Sequence, residues 1–469
     1  MLKGGNVSRD FSASGLSPQL FSWVAAQLGG EVASCERISG GASRLSCSLG
    51  LDPPARAGEA FLRVDSGSGP LAGTIFTLQR EVAVMSALAR SQVRVPQIFG
   101  FSAAHSAVLM EKVKGTANFF SVTDAEQAAQ LQDDLLRQLA LLHQVSVDTR
   151  RVFGDTAPDT VRETLREDVR FWGELYRRHV AHPEPVLTYA LDWLHRAALG
   201  GDQPPVLIHG DIGPGNFLFA GTEVTALIDW ELTHAGHPLE DLACIIARTL
   251  GVPFGDLRRH IVTYGKLSGR VVDPAELDYC VVFVLTRWCI AMSMGLAKTS
   301  VALEVAILVK FLQVNLFALV KIMARLSGSG LPAMPEDVVT PSATTALYDF
   351  TAAVLDAQIK PAVIEPYLKS RIDGLNGLLT YLRNLADYGS DRLRVEELGA
   401  LRSVLGNQVG SVEEGRVGLP PALRNATDEQ RAAILQWLLE RSALQHVLMQ
   451  PMLGPMYDRE LDYHTGTRQ

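Results

Sequence analysis

Residues 207–231 read LIHGDIGPGNFLFAGTEVTALIDWE, and few folds can accommodate that string. Val206-Leu207-Ile208 is a short apolar run of strand type, ended by His209-Gly210-Asp211. Asn216 to Phe219 and Val224 to Ile228 are two more such runs. Ala220-Gly221-Thr222-Glu223 between them has turn composition, so the pair predicts a hairpin. Asp211 follows the first strand, Asn216 comes five positions later, and Asp229 ends the third strand, eighteen positions after Asp211. The hairpin return should bring Asn216 and Asp229 to one end of a small sheet, beside the loop that carries Asp211. Three oxygen-bearing side chains are expected to converge there.

Phosphoryl transfer from ATP needs such a set, because positioning and charge stabilisation do most of its work. A carboxylate must accept the proton of the attacking hydroxyl, and hard oxygen ligands must hold Mg²⁺ against the phosphates. Asp211 fits the first role; Asn216 and Asp229 fit the second. Any H-G-D alone could be a polar turn. The full set, H-G-D-x4-N followed by a hairpin and I-D-W, is what points to chemistry. His209 is expected to orient the loop by hydrogen bonding, and Trp230 to lie in the core.

The surroundings of this segment set the architecture. Residues 1–115 read as mixed strand and helix, with two strand-like runs about a Gly-rich turn at Ser39 to Ser43 within Arg37 to Leu49, and strands at Glu59 to Val64 and Ser106 to Val113. Phe76 to Ala89 carries Leu78, Val82, Met85 and Leu88 at helical spacing. From 116 the pattern turns helical, with a capping box at Thr123-x-x-Glu126 and helices over Val161 to Arg178, Val186 to Ala198 and Glu240 to Leu326. Ser327-Gly328-Ser329-Gly330, Pro332 and Pro335 mark a linker over 327–341. Residues 342–469 read as all-helical, with Ile372, Leu375, Leu379 and Leu382 on one face and a cap at Thr427-x-x-Gln430.

Composition removes several functions. The chain of 469 residues is 47% hydrophobic and 20% charged, which excludes a disordered chain. Its net charge of −8 speaks against nucleic acid as a partner. Five cysteines (35, 47, 244, 280, 289) without a C-x-x-C pair suggest reduced core thiols. Two apolar stretches, Tyr279 to Ala297 and Val301 to Leu326, are broken by Arg287, Glu304, Lys310 and Lys321, so buried helices are expected rather than membrane spans. No signal-peptide pattern opens the sequence, and a cytoplasmic location is expected.

The 207–231 segment, with Gly236-His237-Pro238-Leu239-Glu240-Asp241-Leu242-Ala243 after it, resembles the core of the aminoglycoside phosphotransferase and choline kinase family. The resemblance covers about residues 15–326. It implies an α+β, bilobal, protein-kinase-like fold with a small β-rich N-lobe over 1–115 and a helical C-lobe over 116–326. The all-helical 342–469 would follow as a further domain. It implies ATP as co-substrate, Asp211 as catalytic base, and Asn216 and Asp229 as Mg²⁺ ligands. Ser39, Gly40, Gly41, Ala42 and Ser43 stand where the family has its phosphate-covering loop. Arg63 stands in place of the strand lysine that contacts phosphates, with Glu81 as its partner, and Met110, Glu111 and Val113 belong to the adenine-binding hinge. An acidic residue usual in the later segment is His237 here.

Ile228-Asp229-Trp230-Glu231, Ile38-Ser39-Gly40-Gly41-Ala42-Ser43 and Phe61-Leu62-Arg63 are similar to one branch, the kinase domains joined to or encoded beside acyl-CoA dehydrogenases. That likeness implies a hydroxylated small-molecule substrate, a hydroxyacyl-CoA or a hydroxy acid, and a functional link to an acyl-CoA dehydrogenase. Arg248, Arg258, Arg259 and Arg287 are expected to favour such an anionic substrate. An aminoglycoside or macrolide kinase, and a nucleotide-sensing pseudokinase or scaffold, are the competing readings. Residues 342–469 are expected either to assist the kinase or only to cover an apolar face of it. The oligomeric state is left open.

Overall fold

The computed structural model describes residues 15–38, 44–65, 67, 71–146, 152–153, 158–197, 201–298 and 304–464. By their contacts these residues divide into two compact units. One lies within Met1–Ala157, Val206–Ala235 and Lys266–Gly269, the other within Pro158–Pro205, Gly236–Gly265 and Arg270–Gln469.

The first unit is built on a five-stranded antiparallel sheet of β1 (Val32–Ile38), β2 (Arg44–Leu51), β3 (Glu59–Asp65), β4 (Ile98–Ser102) and β5 (Ala107–Met110), in the order β1-β2-β3-β5-β4. Side chains alternate across a strand, so each strand divides its residues between two faces. Cys47, Leu49, Leu62 and Leu109 are buried in one core cluster with Leu20, Val24 and Leu28 of helix α1 (Pro18–Leu28). Polar side chains take several alternate positions of β2 and β3: Arg44, Ser46, Ser48 and Arg63. Arg44 pairs with Asp65 and Ser46 with Arg63 in the ladder. Helix α2 (Leu78–Leu88) is capped by the Thr77 hydroxyl. Its buried stripe runs through Leu78, Glu81, Val84, Met85 and Leu88, so the expected Val82 is only half-buried and a glutamate sits in the stripe.

Helix α3 (Ala125–Leu142) starts one residue later than expected, because the Asp124 carboxylate accepts from the Gln127 N–H. Strands β6 (Val206–Ile208), β7 (Phe217–Ala220) and β8 (Glu223–Leu227) follow in the same unit. β7 and β8 form the predicted antiparallel hairpin, with Phe217 opposite Leu227. Gly221 supplies the positive φ of +60° in its turn. Two ties hold the hairpin within the unit. The Asp134 carboxylate accepts from the Val224 N–H at 2.9 Å and from Arg94 at 2.6 Å. Thr116 and Phe219 exchange backbone hydrogen bonds.

The second unit is helical: α4 (Val161–His179), α5 (Pro185–Arg196), α6 (Pro238–Arg248), α7 (Pro274–Ala297), α8 (Val305–Leu326), α9 (Thr345–Val354), α10 (Pro366–Tyr388), α11 (Ser390–Leu405), α12 (Val412–Asn425) and α13 (Asp428–Leu448) are its main elements. His237 caps α6: its ring accepts from the Leu239 N–H while Glu240 accepts from the His237 N–H, so the residue at the unusual position is structural. The Thr427–Gln430 capping box starts α13 as expected. Helices α7 and α8 are long and apolar enough to cross a membrane by length and composition. Each packs against neighbours in the unit, α7 on α6 and α8, and α8 on α13. Two charged residues of α7 are buried and paired: Arg287 lies 3.3 Å from Glu240, and Asp278 accepts from the Tyr463 hydroxyl at 2.8 Å. Residues 342–464 belong to this same unit, through contacts such as Gln313 Nε2 to the Ser442 carbonyl. The expected face of α10 is covered only in part: Ile372 is buried, whereas Leu375 and Leu382 are exposed.

Candidate active site

The loop after β6 turns sharply at Gly210, whose φ is +83° and whose missing Cβ would collide with the Leu232 carbonyl. Only glycine accommodates both demands. The turn presents Asp211. Asn216 Nδ2 donates to Asp211 Oδ2 and to the Asp211 carbonyl, each at 2.8 Å. Those two acceptors fix the amide orientation of Asn216 and the rotamer of Asp211.

The same loop is braced to the end of the hairpin. The Asn216 carbonyl accepts the Ile228 N–H at 3.0 Å. His209 spans the two segments: its Nδ1 accepts from the Asp211 N–H at 3.3 Å, so its Nε2 carries the proton and donates to the Ile228 carbonyl at 2.9 Å. Its ring centroid lies 4.5 Å from that of Trp230, tilted by 41°, and Trp230 is 1% exposed and donates to the Leu227 carbonyl. His209 is thus an orienting residue and Trp230 a core residue, as their sequence context suggested.

Asp229, the next residue, sits in the left-handed region at φ +67°, ψ +58°. That conformation is costly for a residue with a Cβ and persists where the surroundings impose it. Its Oδ1 accepts from Arg63 Nη2 at 2.7 Å. Arg63 Nη1 also lies 3.4 Å from Glu81 Oε2, so the expected Arg63–Glu81 pair forms, and Arg63 bridges it to Asp229. Burial pulls the Arg63 guanidinium down, but the charge and hydrogen bond of Asp229 together with the charge of Glu231 outweigh it and hold Arg63 above the usual arginine range.

Sequence reasoning missed Arg44. It begins β2, is buried, and forms an ion pair with Glu81. The signal was present: Arg44, Ser46 and Ser48 alternate with Leu45, Cys47 and Leu49, marking a polar sheet face.

Of the hinge residues, Met110 ends β5 and is buried, Glu111 is exposed and Val113 half-buried. The Glu111 N–H donates to the Gln97 carbonyl at 2.8 Å. Ser39, Gly40, Gly41, Ala42 and Ser43 lie outside the described residues. Of the four arginines expected to favour an anionic substrate, Arg287 is unavailable, being 1% exposed and paired with Glu240, while Arg258 pairs with Asp462 at the surface and Arg248 lies over the Trp288 ring.

A family model described as the phosphotransferase enzyme family matches residues 34–277. Acyl-CoA dehydrogenase family member 11 of Gallus gallus is 30% identical over 199 residues, covering 40% of this chain and 25% of that protein. The Rattus norvegicus protein of the same name is 28% identical over 199 residues, with the same coverage. The matched segment therefore spans about a quarter of these relatives. Among solved structures, the gentamicin complex of APH(2")-IIa has a TM-score of 0.47 at 15% identity, covering 64% of this chain and 96% of that one. The matched model spans more than half of the chain and contains Asp211, Asn216 and Asp229 with the hairpin that braces them: the chain belongs to the phosphotransferase enzyme family.

Proposed function

We propose that this chain is a phosphotransferase that moves the γ-phosphate of ATP to the hydroxyl of a small molecule, a hydroxyacyl-CoA or a related hydroxy acid, with the help of Mg²⁺. The observation that carries the reading is the Asp211–Asn216 contact, braced through Ile228 to the Arg63–Asp229 pair. Asp211, held in one rotamer by Asn216, accepts the proton of the attacking hydroxyl. Little covalent work falls to the protein when the transition state is loose, so this fixed placement matters more than base strength.

The donor set suits a hard divalent cation. Asn216 has committed its Nδ2 to Asp211, so Oδ1 is what it can offer, and Asp229 adds a carboxylate. Bound there, Mg²⁺ would offset the negative charge of the transferring phosphate. Arg63 supplies a permanent positive charge beside Asp229, with fork geometry in place of a point charge. Adenine would meet the Glu111 carbonyl and the Val113 amide, since the Glu111 N–H already serves Gln97. Backbone N–H groups of Ser39 to Ser43 would cover the phosphates.

The substrate class rests on the relatives named as acyl-CoA dehydrogenase family members, which match this chain over 199 residues. Five free thiols suit the cytoplasm, the location proposed for this activity. The test is ADP release with Mg²⁺ and ATP against hydroxyacyl-CoAs, free hydroxy acids, aminoglycosides and macrolides. Turnover with an acyl compound is expected. Turnover confined to an antibiotic would replace the substrate, and none that depends on ATP would remove the function.

A further inference from the structure

Glu81 is 1% exposed and faces two guanidinium groups. Its Oε1 pairs with Arg44, and its Oε2 lies 3.4 Å from Arg63. The ladder explains the crowding. Arg44 is opposite Asp65 and Ser46 is opposite Arg63, so the two arginines are diagonal neighbours on one sheet face. Two buried cations side by side repel. Burial first, and Arg63 second, hold Arg44 below the usual arginine range. A single arginine would satisfy one glutamate, so the second needs a reason. The partners are divided unequally: Arg44 stays on Glu81 and on the Phe76 carbonyl at 3.4 Å, whereas Arg63 reaches past Glu81 to Asp229 at 2.7 Å.

We propose that Arg44 is a positioning residue: by occupying Glu81 it directs Arg63 onto Asp229, so that the triphosphate and the divalent cation must replace the Arg63–Asp229 pair together. This rests on the assignment of Arg63 to the phosphates and of Asp229 to the cation. A cation alone must compete with Arg63 for Asp229. A triphosphate that takes Arg63 releases Asp229 to the cation, so each ligand strengthens the other by the same factor. Arg44 sets that coupling without touching either ligand.

The two neighbours of Arg63 then have opposite effects. In Arg44→Met, Glu81 loses its main partner and draws Arg63 away from Asp229. In Glu81→Gln, the competing carboxylate is gone and Arg63 settles on Asp229. The experiment measures Mn²⁺ affinity of the full chain by the electron paramagnetic resonance of free Mn²⁺, with and without ADP. Wild type should bind Mn²⁺ at least about fivefold more tightly with ADP present. Arg44→Met should tighten Mn²⁺ binding without nucleotide severalfold and shrink the coupling. Glu81→Gln should weaken Mn²⁺ binding without nucleotide, and Arg44→Lys, which keeps the charge, should stay within about twofold of wild type, the limit set by a coupling of this size. If Arg44→Met does not fold, the Glu81→Gln and Arg44→Lys results decide. Equal shifts in both variants, or a lower melting temperature with unchanged affinities, would overturn the proposal. A wild-type chain that binds no Mn²⁺ even with ADP would instead remove the site assignment on which it stands.

Discussion

Two buried arginine–carboxylate clusters, each with two guanidinium groups and two carboxylates, lie in different units of the chain. In the helical unit, Arg441 of α13 donates to both oxygens of Glu184, at 2.6 and 3.2 Å, and to Glu397 of α11 at 3.3 Å. Arg416 of α12 donates to both oxygens of Glu397, at 2.6 and 2.9 Å. Every carboxylate oxygen has a donor and the cluster is closed. Burial pulls Arg441 down, but Glu184 and Glu397 outweigh it and hold it well above the usual range. In the sheet unit, Arg44, Glu81 and Arg63 lead to Asp229, whose side chain is 28% exposed and whose backbone is left-handed. Perturbed ionisation therefore does not separate a structural network from a working one here. An open end on a strained, braced loop does.

That contrast predicts which variants lose activity and which lose stability. The largest effect is expected beside that open end, at the proton acceptor: Asp211→Ala should lower turnover about 10²- to 10⁴-fold while keeping nucleotide affinity, read by ADP release and by calorimetry. Unchanged turnover would mean that Asp211 is not the proton acceptor. Next comes Arg441→Met. Leaving Glu184 and Glu397 short of a buried donor should cost about 3–5 kcal/mol of stability, measured by denaturant unfolding, with turnover per folded molecule preserved. A stability within 1 kcal/mol of wild type, judged against that expected cost, would mean that the closed cluster holds nothing together. Arg63→Met should reverse the pattern, weakening nucleotide binding about tenfold, or 1.4 kcal/mol, with a smaller loss of stability. If Arg63→Met instead unfolds the chain, the two clusters are alike and the contrast collapses.

The smallest effect is in the pH profile. Burial pushes the Glu397 carboxyl up, but hydrogen bonds and charge from Arg416 and Arg441 outweigh it, so it titrates below its ordinary range when folded. A depressed carboxyl contributes stability that is present above its unfolded pKa and is lost as pH falls through the folded one. Wild type should lose stability in that acid window, and Glu397→Gln should lose less of it. Parallel profiles would show that Glu397 does not set the acid limit.

What was legible in the sequence follows from range. The hairpin of β7 and β8 and the spacing of Asp211, Asn216 and Asp229 were readable, because one turn and three short strands within 26 residues place them (Val206 to Glu231). The helix caps were readable to within a residue; Asp124 displaced Thr123 because both can cap and only geometry chooses between them. The Arg63–Asp229 bridge joins residues 166 positions apart, and no local pattern reports it. Arg44 was hidden for a related reason: alternation shows which face a side chain takes, not what that face meets. Arg287 misled because a charge in an apolar helix looked available, while its partner Glu240 lay 47 positions away. Leu375 and Leu382 misled in the opposite sense, since apolar periodicity on α10 does not ensure that the face is covered.

The central claim is that Asp211, Asn216 and Asp229 form one phosphoryl-transfer site. Crystals of the full chain with Mn²⁺ and a non-hydrolysable ATP analogue test it through the anomalous scattering of manganese. A peak is expected at coordination distance from Asn216 Oδ1 and an Asp229 oxygen, with the γ-phosphate beside Asp211 and Arg63. Nucleotide and manganese bound elsewhere, with the Arg63–Asp229 pair intact, would contradict it.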